Sequence, residues 1–175
     1  MSGLSKKRVV DTNVPITANR ASKPLTIPQE LNACVLSCID EIERVVKHGG
    51  LVLDDSGEIF EEYLNNLSLR GQPGAGDAFV VWVYNNQWNP EKVDRISITR
   101  ENESYREFPN NPSLVGFDIS DRKFIAVANA HPDKPLVLQA TDIAWWEYKN
   151  TLAHCGISVC FICEDYIRQK ASTRD

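Results

Sequence analysis

Residues 8–14 read RVVDTNV, a short run rich in β-branched residues that ends in polar side chains. β-Branched residues favour strands, so the run predicts a first strand with Asp11 and Asn13 at its carboxyl end. Residues 15–28 contain three prolines and are predicted to form a loop. Pro28 suits the first turn of the helix that follows. The chain therefore opens with a strand that delivers an acid to one of its ends.

Strand and helix patterns alternate along the rest of the chain. Residues 29–47 carry apolar side chains at spacings of three and four, which predicts an amphipathic helix. Alternation of this kind is typical of an α/β fold, and we expect a three-layer α/β/α domain with a central, mainly parallel sheet. The other predicted strands cover residues 51–53, 93–99, 136–140 and 157–163, and the other predicted helices cover residues 56–67, 78–84, 120–128 and 143–153.

Length and composition place the chain among single folded domains. It has 175 residues, of which 42% are hydrophobic and 25% charged, and this balance excludes disordered and fibrous proteins. We expect one domain over residues 1–175, with a flexible tail at about 165–175. The Gly-rich stretch at residues 70–78 fits neither a dinucleotide-binding nor a Walker phosphate loop, and we expect a hinge or a substrate-side loop there.

The net charge and the hydropathy pattern limit the binding partners and the cellular compartment that we expect for the protein. The net charge of −5 excludes a histone-like nucleic-acid binder. The sequence contains no apolar run of membrane-spanning length, and residues 1–8 lack the apolar part of a secretory leader. We expect a reducing, cytoplasmic environment and no membrane partner.

The five cysteines are expected to act as small hydrophobic residues. The C-x-x-C of residues 160–163, with His154 and Cys155 nearby, leaves a zinc or redox role open. Because no second C-x-x-C completes a tetrahedral set, we favour a buried strand there. Cys34 and Cys38 lie four residues apart in a helical pattern, and we expect them to pack in the core.

Acidic residues follow the predicted strands at one end. Asp11 follows the first strand, and Asp142 follows a later one together with Thr141. The carboxyl ends of parallel strands share one edge of a sheet, and functional sites gather there. Glu62 and Asp121 lie on helices that follow other turns. We expect these four acids to converge on that edge.

Short motifs carry these acids in a recognisable order. They are VVDTN at residues 9–13, IFEEY at 59–63, DRKFIAVA at 121–128, TD at 141–142 and GISV at 156–159. Their order and their placement on strands and helices resemble those of the PIN-domain nucleases over nearly the whole chain. Against that family, residues 70–113 look like an insertion.

The resemblance implies a metal-dependent nuclease that hydrolyses phosphodiester bonds, most often an endoribonuclease acting on single-stranded or structured RNA. Mg²⁺ and Mn²⁺ prefer carboxylate oxygens, and a bound cation relieves the repulsion that raises the pKa values of clustered acids. The family's catalytic residues and metal ligands would be Asp11, Glu62, Asp121 and Asp142, supported by Asn13, Asp118 and Thr141, with Arg122 and Lys123 binding the substrate.

The implied partners are RNA, a second copy of the chain in a homodimer, and a protein such as an antitoxin. Toxin, defence and processing roles all stay open. The family often has a further acid shortly after Asp142, where this chain has Ala144 and Trp145.

Structural roles compete with these assignments. Asp11 fits a turn, and Asp121 and Asp142 fit helix caps. Two other functional classes also stay open: a catalytically inactive PIN-like module that binds RNA or protein, and a different acid-cluster nuclease.

Three aromatic residues of one segment could belong either to the core or to a substrate surface. Trp82, Tyr84 and Trp88 could stack on unpaired bases, although we favour core packing for all three. Of the adjacent pair at residues 145–146, we expect one tryptophan to be buried and the other partly exposed.

Overall fold

A computed structural model describes residues 7–174. Residues 1–6, part of the stretch without a leader pattern, and Asp175, the end of the predicted tail, lie outside the described range. The strands are β1 (Arg8–Val10), β2 (Leu51–Asp54), β3 (Val93–Ile96), β4 (Arg100–Glu101), β5 (Ser104–Tyr105), β6 (Leu136–Gln139) and β7 (Val159–Phe161). The helices are α1 (Asn13–Asn19), α2 (Asn32–His48), α3 (Glu58–Asn66), α4 (Ala75–Asn86), α5 (Arg122–Ala130), α6 (Ile143–Glu147), α7 (Lys149–His154) and α8 (Glu164–Ser172).

Five parallel strands form the central sheet in the order β3-β2-β1-β6-β7. The first strand is in the middle, and its register with β6 pairs Arg8 with Leu136 and Val10 with Leu138. Helices flank the sheet, so the expected three-layer α/β/α class is confirmed. The short β4–β5 hairpin stands apart from this sheet.

The inner strands are apolar because both faces of the sheet are covered. Val9 and Val10 are fully buried, and all four residues of β2 are buried as well. Strands that are covered on both faces read as continuous hydrophobic runs rather than alternating ones. The core therefore lies along the sheet, and polar groups are left at the strand ends.

The predicted loop at residues 15–28 is wrong in its first part. Residues Asn13–Asn19 form α1, with Pro15 in the first turn, and short 3₁₀ turns follow at Arg20–Ser22 and Pro24–Thr26. Proline is tolerated there because first-turn N–H groups have no partner within the helix. The pattern of prolines thus marked a helix start as well as a loop.

The predicted flexible tail is also wrong over most of its length. Residues Glu164–Ser172 form α8, which buries Ile167 completely. Glu164 and Asp165 stand in its first turn and Lys170 in its last, an arrangement that favours the helix dipole. The charges that suggested a solvated tail are the exposed face of an amphipathic helix.

Residues 70–113, which resemble an insertion, contribute to the fold itself. They contain α4, the edge strand β3 and the β4–β5 hairpin. A Cβ on Gly76 would lie 2.1 Å from the carbonyl oxygen of Pro15, and one on Gly74 would lie 2.1 Å from Oδ1 of Asn19. These glycines let α4 pack closely on α1, so this part of the Gly-rich stretch is a packing contact and not the hinge that we expected.

The last predicted helix and strand are shorter than expected. Residues 143–153 divide at Tyr148 into α6 and α7, and the final strand spans only Val159–Phe161. Trp145 is buried and Trp146 partly exposed, which confirms the expectation for that pair. Among residues 7–174, the helices are all too short or too polar to cross a membrane.

The predicted core packing of Cys34 and Cys38 is confirmed, but Cys34 also takes part in a disulfide that was not expected. Cys34 in α2 and Cys163 at the start of α8 form a disulfide, with their Cα atoms 5.0 Å apart. Cys163 lies beyond β7, so it is not part of a buried strand. Cys38 is a buried free thiol, and Cys155 and Cys160 are free and partly exposed. Cys34 and Cys38 lie four residues apart and do not form a C-x-x-C, so their spacing did not mark either of them as the disulfide partner of Cys163.

Candidate functional site

The carboxyl ends of β1 and β6 are joined by side-chain hydrogen bonds. Asn13 directs its Oδ1 to the next strand, where it accepts bonds from the backbone N–H of Thr141 at 2.7 Å and from the Thr141 hydroxyl at 3.1 Å. The Asn13 backbone N–H donates to Oδ1 of Asp11 at 2.9 Å. This fixes Asp11, Asn13 and Thr141 in one rigid edge.

Asp11 is a buried carboxylate, 4% exposed. Besides the Asn13 bond, its Oδ1 accepts a hydrogen bond from Nε2 of Gln139 at 3.1 Å. Gln139 is fully buried, and its Oε1 accepts from the backbone N–H of Asp142 at 3.3 Å. Gln139 was missed at the sequence level, although a polar residue inside the apolar run LVLQ is itself a signal.

The surroundings of Asp11 disfavour the ionised form of its carboxyl group. Burial raises the pKa of its carboxyl well above the ordinary value, and the negative charge of Asp121 raises it further. The charges of Glu62 and Asp142 act in the same direction. Within residues 7–174, no lysine, arginine or histidine forms an ion pair with Asp11. The described part of the chain therefore leaves this carboxylate without a compensating cation.

Asp121 stands where a 3₁₀ turn, Ile119–Asp121, leads into α5. Its Oδ2 accepts a hydrogen bond from Nε1 of the buried Trp145 at 2.9 Å. The pKa of Asp121 is raised to about 6, chiefly by burial. The Trp145 bond opposes the rise, and the charges of Asp118, Asp142 and Glu62 add to it. The Trp145 indole thus orients the carboxylate of Asp121.

Glu62 lies on the inner side of α3, whereas Glu61 is exposed. The helix is anchored beside Asp11, because the hydroxyl of Tyr63 donates to the carbonyl oxygen of Val10 at 2.5 Å. Glu62 forms an ion pair with Lys123 of α5. We had expected Lys123 to bind substrate, but in this structure its ammonium group also donates to the backbone oxygen of Ser120 and is mostly buried.

Asp142 and Asp118 both act as helix caps. Asp142 accepts a hydrogen bond from the backbone N–H of Ala144 at 2.9 Å and begins α6. Asp118 accepts from the backbone N–H and the hydroxyl of Ser120, bonds that hold the pKa of Asp118 below its ordinary value. The predicted capping role is therefore present for Asp142, whereas Asp121 stands at the N-cap position of α5 without a side-chain cap bond. The charges of Asp118 and Asp142 both raise the pKa of Asp121.

The four acids converge without forming a closed cluster. Within the described residues, the one group of three or more metal-ligating side chains whose ligand atoms all lie within 4.8 Å of one another is Cys34, Cys38 and Cys163. The four acids are more widely spaced than this, although the charges of Asp121, Glu62 and Asp142 all raise the pKa of Asp11. Their donor set, oxygens only around an uncompensated buried carboxylate, fits a hard divalent cation.

A groove of about 710 Å³ opens beside Glu62. Two cations line it, Lys123 and Arg100, and they are ion-paired to Glu62 and Glu58 respectively. Glu61 and Asp118 add two further acids to the lining. Arg122 does not line this groove. Its guanidinium group donates to the backbone oxygens of Val115 and Phe117, and its predicted contact with substrate stays a prediction.

Trp82 and Tyr84 in α4, and Trp88 just after it, differ in their exposure to solvent. Trp82 packs partly against the core, whereas Tyr84 is exposed and Trp88 is 74% exposed. The guanidinium carbon of Arg95 lies 3.9 Å from the centroid of the Trp88 ring. Core packing is therefore wrong for Tyr84 and Trp88.

Comparison of the chain with protein-family models, with curated proteins and with solved structures finds no match. The resemblance to PIN-domain nucleases therefore depends on the motif residues and on the positions that they occupy.

Proposed function

We propose that the protein is a divalent-metal-dependent nuclease that hydrolyses phosphodiester bonds in RNA. The observation that carries the proposal is the buried Asp11 carboxylate, which forms no ion pair with any residue from 7 to 174. Its pKa is raised by burial and by the charge of Asp121 at the carboxyl edge of a parallel sheet. Uncompensated acids of this kind are costly to a fold and are common at functional sites. A bound cation would remove that cost.

Asp11, Glu62, Asp121 and Asp142 would hold Mg²⁺ or Mn²⁺, which when bound activates water and stabilises the oxygens of the transferred phosphoryl group. Gln139 and Asn13 position the Asp11 carboxylate, while the Trp145 indole positions that of Asp121. Their bonds hold the oxygens in place before any ligand arrives. Preorganised groups of this kind cost no reorganisation during the reaction.

RNA is the proposed substrate because of the family resemblance. In the adjoining groove, Lys123 and Arg100 would have to exchange their glutamate partners for phosphate groups. A homodimer and a protein partner such as an antitoxin belong to the same proposal, as does a cytoplasmic location. The exposed Trp88 offers a ring on which an unpaired base could stack.

A second candidate is a catalytically inactive PIN-like module that binds RNA or a protein. The Glu62–Lys123 ion pair favours it, because one of the four carboxylates is already neutralised by the chain itself. The two candidates differ in whether a divalent cation changes an RNA substrate.

The test is cleavage of end-labelled single-stranded RNA, with single-stranded DNA beside it, in Mg²⁺, in Mn²⁺ and in chelator. We expect metal-dependent RNA cleavage that Asp11→Asn and Asp142→Asn each reduce at least about a hundredfold. Asp40→Asn, an exposed acid on α2, is the matched control and should cleave like wild type. Wild-type rates in both site variants contradict the nuclease, and RNA binding without cleavage selects the second candidate.

A further inference from the structure

Three cysteine sulfurs lie together at the far side of the sheet from β3. Cys34 and Cys163 form the disulfide, and the Sγ of the free thiol Cys38 lies 4.0 Å from the Sγ of Cys163. All three side chains are buried, with at most 6% exposed. The three Sγ atoms fall within 4.8 Å of one another. This is a closed group of soft ligands, separate from the oxygen ligands of the acids.

The local structure explains why the sulfurs meet. Cys34 and Cys38 lie four residues apart, on one face of the first half of α2. Cys163 follows the carboxyl end of β7 and is the N-cap residue of α8, where the helix dipole favours a thiolate. Two separate segments, one helical and one at a strand-to-helix turn, therefore present cysteines to the same point.

The spacing of the sulfurs suits one small tetrahedral ion. Zinc–sulfur bonds of about 2.3 Å place the sulfurs of a tetrahedral site about 3.8 Å apart. The Cys38–Cys163 separation of 4.0 Å is close to that value. Once the disulfide is reduced, the Cys34 and Cys163 sulfurs are no longer bonded and can separate to the same spacing. The burial of all three matches a structural site, which keeps no position open to solvent.

Cys160 is the candidate for the fourth ligand. It lies on β7 three residues before Cys163, in the C-x-x-C that recurs in zinc sites. The Cys160 sulfur lies outside the group of three that fall within 4.8 Å of one another, so Cys160 is assigned as the fourth ligand from the C-x-x-C spacing. A groove of about 320 Å³ lined by Cys34 and Cys163 gives a path of entry.

We propose that the reduced protein binds one zinc ion through the thiolates of Cys34, Cys38 and Cys163, with Cys160 completing the tetrahedron. A phosphine reductant first breaks the Cys34–Cys163 bond, and it is oxidised to phosphine oxide with water supplying the oxygen and the two protons of the new thiols. Zinc then forms four bonds to sulfur and releases one proton from each thiol. In the reducing environment that the sequence predicts, the dithiol form is the expected one.

The zinc ion and the disulfide would be alternative links between the same elements. Either one connects the first half of α2 to the start of α8. The sequence separation between Cys34 and Cys163 is 129. This site is independent of the proposed nuclease, because it shares no ligand with the acids.

The experiment measures zinc and cobalt(II) binding by the full chain after phosphine reduction and removal of the reductant under nitrogen. We expect one ion per chain by mass spectrometry of metals, and cobalt spectra with sulfur-to-metal charge-transfer bands. Cys34→Ser, Cys38→Ser and Cys163→Ser should each weaken binding at least about tenfold, and Cys160→Ser should do so too. Cys155→Ser is the matched control and should bind like wild type.

Cys38→Ser guards against a folding artefact, because that variant keeps the disulfide and its oxidised form can be compared with oxidised wild type by circular dichroism. Equal spectra with lost cobalt binding support the proposal. A reduced wild type that binds no zinc, or variants that all bind like Cys155→Ser, overturn it. Unchanged binding by Cys160→Ser alone removes Cys160 from the ligand set. Asp121→Asn should bind cobalt at the thiolates unchanged, which separates this result from any failure of the nuclease.

Discussion

Replacing Asp121 with asparagine should make the metal-free protein more stable at neutral pH. Asparagine has nearly the same shape as the acid and keeps an oxygen that can accept the hydrogen bond from Trp145. It removes the negative charge that stands in a largely buried position near Asp118, Asp142 and Glu62. The charge is expected to serve function and to cost stability.

The pKa of Asp121 gives the size and the sign of the effect. It rises from 3.8 to about 6 in the folded protein. Each tenfold change in proton affinity is worth about 1.4 kcal/mol, so ionising Asp121 costs the folded state about 3 kcal/mol relative to the unfolded chain. Because the folded pKa is the higher one, Asp121 makes wild type lose stability as the pH rises through the interval between about 4 and 6. The asparagine variant lacks this contribution and keeps only that of Asp11.

Thermal melts in chelator at several pH values measure this. Above about pH 7 we expect the variant to melt higher by at most about 6–12 °C, and near pH 4 we expect the two to converge. Asp118→Asn is a matched control with the opposite sign, because bonds from Ser120 hold the pKa of Asp118 low and stabilise its charge. A variant that melts below wild type at neutral pH, or a gap that does not depend on pH, would refute the electrostatic reasoning.

Three further predictions concern the metal, the helix phase and the packing of α4. Manganese should stabilise wild type by about 2.7 kcal/mol at a hundredfold excess over its dissociation constant, and melts that ignore the metal would contradict this. Glu62→Gln should lose most metal-dependent cleavage while the exposed Glu61→Gln keeps it, and the reverse result in the same RNA assay would place the helix one residue out of phase. Gly76→Ala should lower the free energy of unfolding in urea by about 1–3 kcal/mol or more, because its Cβ would lie 2.1 Å from the Pro15 oxygen; an unchanged midpoint would show that α1 and α4 can separate freely.

The fold class could be predicted because its signals are local. Apolar periodicity located α2, and short β-branched runs located β1, β2 and β6. The pattern failed where one signal had two meanings. Pro15 reads as a loop but also suits the first turn of α1, and the charges after Cys163 read as a tail but belong to the exposed face of α8.

The candidate site was predictable in its acids but less so in their partners. The positions of Asp11 and Asp142 follow from strand ends, which the sequence marks directly. The roles of Gln139, Trp145 and Lys123 depend on contacts between segments that are distant in the sequence. A single residue has no periodic pattern from which such a contact could be predicted. The disulfide escaped for the same reason, since its two cysteines lie in different elements.

The central position of β1 has a consequence for the order in which the chain folds. This strand is synthesised first, yet its neighbour on one side is β6, which pairs Arg8 with Leu136, a separation of 128 residues. Until residues 136–139 leave the ribosome, one edge of β1 has no strand to pair with, and open edges invite pairing with other chains. We therefore expect slow completion of the sheet, only after residues 136–139 have emerged, as is typical of proteins whose contacts join distant parts of the chain.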